Sequence, residues 1–145
     1  MVTYKKILVT SDGSDASTKA LCCAGDLARQ YGAELHLLHV TEPSLYFETD
    51  MVSIPPLDEI DDAIQKGAIR RLKAQIEQFD FDIIVHLKES VGDPSRTICK
   101  FAKSLPADLI VIGRHGEKGM VQHILMGSTT ERVVAHAPCS VLVNT

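Results

Sequence analysis

Apolar residues occur in short blocks along this chain, and polar turns separate the blocks. Residues 5–10 (KKILVT) form an apolar run that ends in Ser11-Asp12-Gly13-Ser14, the pattern of a buried strand followed by a turn. Ser14 can cap a helix that starts there. Ala20, Leu21, Ala24, Leu27, Ala28 and Tyr31 then recur at helical spacing, and Gly32 closes that helix. Residues 34–40 (ELHLLHV) read as a second strand, and residues 41–56, with three Pro, as a long surface loop. A second helix is expected over residues 57–79, striped by Ile60, Ile64, Ala68, Leu72, Ile76 and Phe79. Residues 81–87 read as a third strand. In Gly92-Asp93-Pro94, Asp93 suits an N-cap and Pro94 the first helical position of a helix that runs to about Lys103. Residues 107–112 (ADLIVI) form a fourth strand and residues 113–127 a Gly-rich segment. A fourth helix follows over residues 128–136, Pro138 breaks it, and residues 140–143 form a final strand.

Strands that alternate with helices predict a parallel sheet with helices on both faces. The apolar strands agree, because strands covered on both sides lose their polar alternation. Right-handed crossovers narrow the topology to a doubly wound α/β sheet. In such sheets a ligand sits beyond the carboxyl ends of the strands, where the strand order reverses. That directs attention to the turns after strands one and four.

The chain has 145 residues, the size of one ordinary domain. Its net charge of −4 and the lack of a basic run make nucleic acids and anionic membranes poor partners. An aromatic content of 5% without Trp argues against a stacking platform for single strands. The apolar runs are far shorter than the roughly 20 residues that span a bilayer, and residues 1–6 show no apolar signal core, so a cytoplasmic location is expected. Cys22, Cys23, Cys99 and Cys139 form no CxxC pair and read as reduced core thiols, Cys23 falling on the first helix's apolar stripe.

Strand four leads into Gly113-Arg114-His115-Gly116, and after ten further residues Gly127-Ser128-Thr129 opens a helix. Glycine lets a backbone approach a phosphate closely, a helix start offers free N–H groups and partial positive charge, and the two hydroxyls add donors. The same residues also make an ordinary turn and helix start. Asp12 can accept from ribose hydroxyls or simply close an Asx-turn. Neither GxxxxGK[ST] nor a GxGxxG after strand one is present. Arg114 could clamp a phosphate, and His115 and His123 flank the segment. The six His show no metal-ligand spacing. His36 and His39 point to opposite faces of one strand, so structural roles are expected for them and no metal site is predicted. With no general base, nucleophile–base pair or in-line metal pair evident, the sequence points away from an enzyme, or at most to slow ATP hydrolysis.

These pieces, taken in order, resemble the universal stress protein family over nearly the whole chain. The matching segments are residues 7–14, 37–40, Gly92-Asp93-Pro94, residues 107–113, 127–133 and 137–143. The resemblance implies a Rossmann-like, adenine nucleotide alpha hydrolase-like fold, with strand order 3-2-1-4-5. It implies ATP as ligand, with Mg²⁺ held through the phosphates and water. Asp12 and Gly113 would meet the ribose, the main chain of Val40 the adenine edge, and Thr10 and Ile112 the base. Gly116, Gly127, Ser128 and Thr129 would hold the phosphates, beside Arg114. It also implies a homodimer through the last strand, between Cys139 and Val143, since an apolar sheet edge invites pairing. Two departures stand out. The segment between Gly116 and Gly127 is one residue longer than the nine of ATP-binding members, and Thr10 replaces a Pro that many members carry. The longer segment keeps a non-nucleotide interaction protein of the same fold, with an unknown protein partner, as the alternative.

Overall fold

The computed structural model describes residues 1–42, 57–79, 83–116 and 126–145, and of residues 57–61 and 64 the backbone alone. The expected loop between strand two and helix two, the stripe positions Ile60 and Ile64, and His123 fall outside the described residues or side chains.

Ile7, Leu8 and Val9 are wholly buried, and they make β1 (Lys6–Thr10) the central strand of a five-stranded parallel sheet. The chain then runs through α1 (Asp15–Tyr31), β2 (Glu34–Thr41), α2 (Leu57–Glu77), β3 (Val85–Val91), α3 (Pro94–Ser104), β4 (Leu109–Gly113), α4 (Ser128–His136) and β5 (Ser140–Asn144). The strand order is β3-β2-β1-β4-β5, the doubly wound order expected, and it reverses direction between β1 and β4.

Alternate strand residues feed two cores. Ile7, Val9, Leu35, Leu37 and Val111 pack with Leu21, Ala24 and Ala28 of α1 and Leu72 of α2 on one face. Leu8, Leu38, Ile110 and Ile112 pack with Ile98 and Ala102 of α3 and Val133 of α4 on the other. Each fully buried Leu or Ile side chain is worth roughly 1.5–3 kcal/mol relative to exposure, so the central strands anchor everything that sits at their ends.

The helix ends follow the sequence signals. Ser14 Oγ accepts the Ser17 N–H at 3.2 Å at the start of α1. Gly32 adopts φ 65° after its last turn, a left-handed conformation that favours glycine.

The third strand is the main correction. It was expected at residues 81–87, but β3 runs Val85–Val91, and Ile84 before it is 78% exposed. The reason is its position at the sheet edge. There the strand keeps a half-buried, alternating pattern through Lys88 and Glu89, so an unbroken apolar run marks its location poorly. The cysteines differ too. All four are free thiols, but each is half-buried, Cys23 included. Burial still pushes the Cys23, Cys99 and Cys139 thiols up from the usual value.

Candidate functional site

The reversal between β1 and β4 opens a crevice at the carboxyl ends of the strands, and two turns converge there. The first is Ser11-Asp12-Gly13-Ser14. Ser11 is buried, its N–H donates to Leu38 O at 3.0 Å, and its hydroxyl donates to Gln75 Oε1 at 2.6 Å. Gln75 in turn donates to Thr18 Oγ1 at 2.9 Å, so α2 and α1 clamp the turn from one side. His39 Nδ1 lies 2.7 Å from Ser11 O, and because a carbonyl only accepts, this nitrogen carries the proton. Gly13 takes φ 85°, which reverses the chain without strain.

Asp12 is fixed by this turn. Its Oδ1 accepts the Ser14 N–H at 3.0 Å, the Asx-turn weighed above. Its Oδ2 faces the second turn, only 2.6 Å from where a Cβ on Gly116 would stand. A Cβ there would force the Asp12 carboxylate to move away from the second turn.

The second turn grows from β4. A Cβ on Gly113 would lie 3.1 Å from the Ala16 carbonyl carbon, so glycine lets α1 close against the strand end. Thr130 Oγ1 donates to Gly113 O at 2.8 Å, tying α4 to the same point. Arg114 N–H donates to Asn144 O of β5 at 3.0 Å, and Gly127 N–H donates to Arg114 O at 2.8 Å. The chain that leaves at Gly116 is thus brought back onto Arg114 before α4 begins. A Cβ on Gly127 would meet Arg114 O at 3.4 Å, an ordinary contact.

Gly127 is the N-cap of α4, and among the described residues no side chain caps the helix there. Its first-turn N–H groups open beside Ser128 and Thr129 with a partial positive charge. His115 Nδ1 is buried beside this turn and has no hydrogen-bond partner among the described residues, unusual for a buried polar atom.

The sequence-predicted residues lie at the carboxyl end of the sheet. Thr10 and Ile112, 8% and 5% exposed, floor the crevice at the ends of β1 and β4. Asp12, Gly113, Arg114 and Gly116 form its two turns, and Gly127, Ser128 and Thr129 its helix start. Val40 is half-buried near the end of β2, the strand next to β1. Residues 117–125 of the Gly-rich segment lie outside the described residues. Sequence reasoning missed Ser11, Gln75, His39 and Thr130, which position the site. Nothing local marks them, because each acts on a partner distant in sequence.

A parallel sheet wound in the order 3-2-1-4-5, with a glycine-lined crevice at its switch point, defines a Rossmann-like α/β protein. The sequence model of the universal stress protein family matches residues 3–144, and the chain belongs to that family. Universal stress protein MJ0531 of Methanocaldococcus jannaschii is 34% identical over 146 aligned residues, covering 97% of this chain and 81% of its own. Among solved structures, universal stress protein UspA from Lactobacillus plantarum superposes with a TM-score of 0.75 at 32% identity, each chain covered fully. A universal stress protein in complex with cAMP superposes with a TM-score of 0.65 at 25% identity, covering 99% of this chain and 98% of that one. Among the described residues, no helix is long and apolar enough to cross a membrane.

Proposed function

We propose that this universal stress protein binds an adenine nucleotide in the β1/β4 crevice, with ATP as the ligand. The observation that carries the reading is the meeting of Asp12 with Gly116 beside the glycine-started α4. The residues fit the ligand. Asp12 Oδ2 stands against Gly116, α4 starts at a glycine N-cap, and His115 Nδ1 is a buried polar atom with no hydrogen-bond partner among the described residues. The relative bound to cAMP supports an adenine nucleotide as the class of ligand.

In this reading Thr10 and Ile112 pack against the base, and the main chain of Val40 meets its edge. Asp12 and Gly113 hold the ribose. Gly116, Gly127, Ser128 and Thr129 hold the phosphates with Arg114 alongside, through N–H and O–H donors. Mg²⁺ would be held chiefly by phosphate oxygens and water, its usual preference beside a triphosphate. The chain would act as a homodimer through β5, an edge strand whose Val141, Leu142 and Val143 stay only half-buried in one copy.

Titration calorimetry with ATP·Mg²⁺, AMP and cAMP tests the ligand. We expect saturable binding of ATP by the native chain and at least about a 100-fold loss, near 2.7 kcal/mol, for Gly116→Leu. Equal affinity in the two proteins would remove the crevice as the phosphate site. A second reading, an interaction protein that binds no nucleotide, is favoured by the extra residue between Gly116 and Gly127. Mass spectrometry of the purified native protein separates the two, since co-purified adenine nucleotide excludes the second. Sedimentation of Leu142→Lys against the native chain tests the dimer, with a monomer expected for the variant.

A further inference from the structure

The end of the sheet opposite the crevice carries a cluster that the nucleotide reading does not use. Glu34 and His36 are two residues apart on β2, on the face that also bears Leu38 of the α3/α4 core. His86 of β3 is the register partner of His36. The two imidazole rings stack with centroids 4.6 Å apart and planes 18° from parallel. Glu34 Oε2 lies 3.1 Å from His36 Nε2. One ligating atom from each of the three residues lies within 4.8 Å of the other two.

This donor set suits one kind of guest. Two imidazoles stand directly opposite one another on neighbouring strands with a carboxylate beside them, and neutral imidazole is the form that ligates a metal. Two His nitrogens and one carboxylate oxygen make a familiar zinc set, with water in the fourth position. Tetrahedral zinc holds its ligands at about 2.0–2.2 Å, which spaces ligand atoms by about 3.4 Å. The cluster needs only a modest inward rotation to match. Glu34 and His86 are exposed, while the His36 side chain, 14% exposed, holds the fixed point between them. Lys6, the register partner of Glu34, turns its ammonium to Leu105 O at 3.1 Å. Lys88, two residues beyond His86 on the same face, is the next cation along β3. A groove lined by Arg29, Ala33, Glu34, Ile83, Ile84 and His86 opens the site to solvent, and the Arg29 guanidinium is paired there with Asp26 at 2.6 Å.

We propose that Glu34, His36 and His86 form a divalent transition-metal site, whose ligands suit Zn²⁺, independent of the crevice at the other end of the sheet. Zinc titrated into the nucleotide-free native chain should fill one such site per chain and raise Tm, since an ion that binds only the folded state stabilises it. His36→Gln/His86→Gln should weaken zinc binding by more than the roughly 10–100-fold that loss of an outer-shell partner causes and should remove the Tm shift. Glu34→Gln should weaken it by about ten-fold, and His136→Gln, on exposed α4, should leave it unchanged. Co²⁺ in place of zinc should give tetrahedral d–d bands without the thiolate charge-transfer band that Cys22 or Cys23 would add. Unchanged zinc affinity in the double variant, with its fold verified by circular dichroism, would overturn the proposal. A thiolate band in the Co²⁺ spectrum would do the same.

Discussion

Two helices start on the same face of this sheet and begin in opposite ways. α3 opens with Asp93, whose carboxylate accepts the Arg96 N–H at 3.0 Å and the Ser95 hydroxyl at 2.9 Å. α4 opens with Gly127, which has no side chain to offer. Both helices leave first-turn amides that need partners. In the first, the Asp93 carboxylate occupies the helix start and takes the Arg96 amide. The second leaves its amides beside Ser128, Thr129 and the Gly116 turn, where a phosphate would supply what Asp93 supplies in α3. In the proposed reading one local motif would serve stability in one place and binding in the other, and the difference is a single residue at the cap.

Giving α4 the cap of α3 should have the largest effect. Gly127→Asp fits the backbone, since φ −69° and ψ 152° are extended values any residue adopts and a Cβ there makes only ordinary contacts. Its carboxylate would take the amides and repel phosphate. We expect ATP affinity to fall at least about 100-fold by calorimetry, and native affinity in this variant would sink the proposed role of α4. The reverse change, Asp93→Ala, should cost about 1 kcal/mol of stability by urea unfolding, typical of a lost N-cap, with ATP affinity intact.

A smaller effect concerns pH. The Arg96 N–H, then the Ser95 hydroxyl, hold the Asp93 carboxyl below its usual range. A folded-state pKa below the unfolded one adds stability that is present above the unfolded value, near 3.9, and is lost as pH falls through the folded value. The stability gap between the native chain and Asp93→Asn should be full at neutral pH and narrow below about pH 4. A gap that widened on acidification would contradict this. Smallest of all, Gly127→Asp should raise unliganded stability by a few tenths of a kcal/mol, the usual difference between Gly and Asp at an N-cap. A variant more stable yet unable to bind would show that the bare cap is kept for a ligand.

How much of this was legible depended on the range of the forces involved. Ser14, Gly32 and Asp93-Pro94 announced their helix ends because capping is settled within four residues. β1 and β4 announced themselves because strands buried on both faces must be apolar throughout. The edge strand β3 was misplaced because partial exposure relaxes that demand. Among the site residues, Gly113, Gly116 and Gly127 stood out as glycines, and Asp12 as a carboxylate at a strand end. Ser11, Gln75 and Thr130 did not, because a buried hydroxyl or amide acquires meaning only from its partner. His36 read as a structural residue for the same reason, since its ring neighbour His86 belongs to another strand.

The alternation of strands and helices, the capped helix starts, the glycine-bearing turns and the family are all written in the order of the residues. Only the tertiary structure decided that β4 lies beside β1, which brings Asp12 against Gly116, and that β3 lies beside β2, which brings His86 onto His36. The physical reason is that hydrophobic periodicity is non-directional. It tells each strand to be buried, while the choice of neighbour comes from crossover handedness and the packing of the two cores.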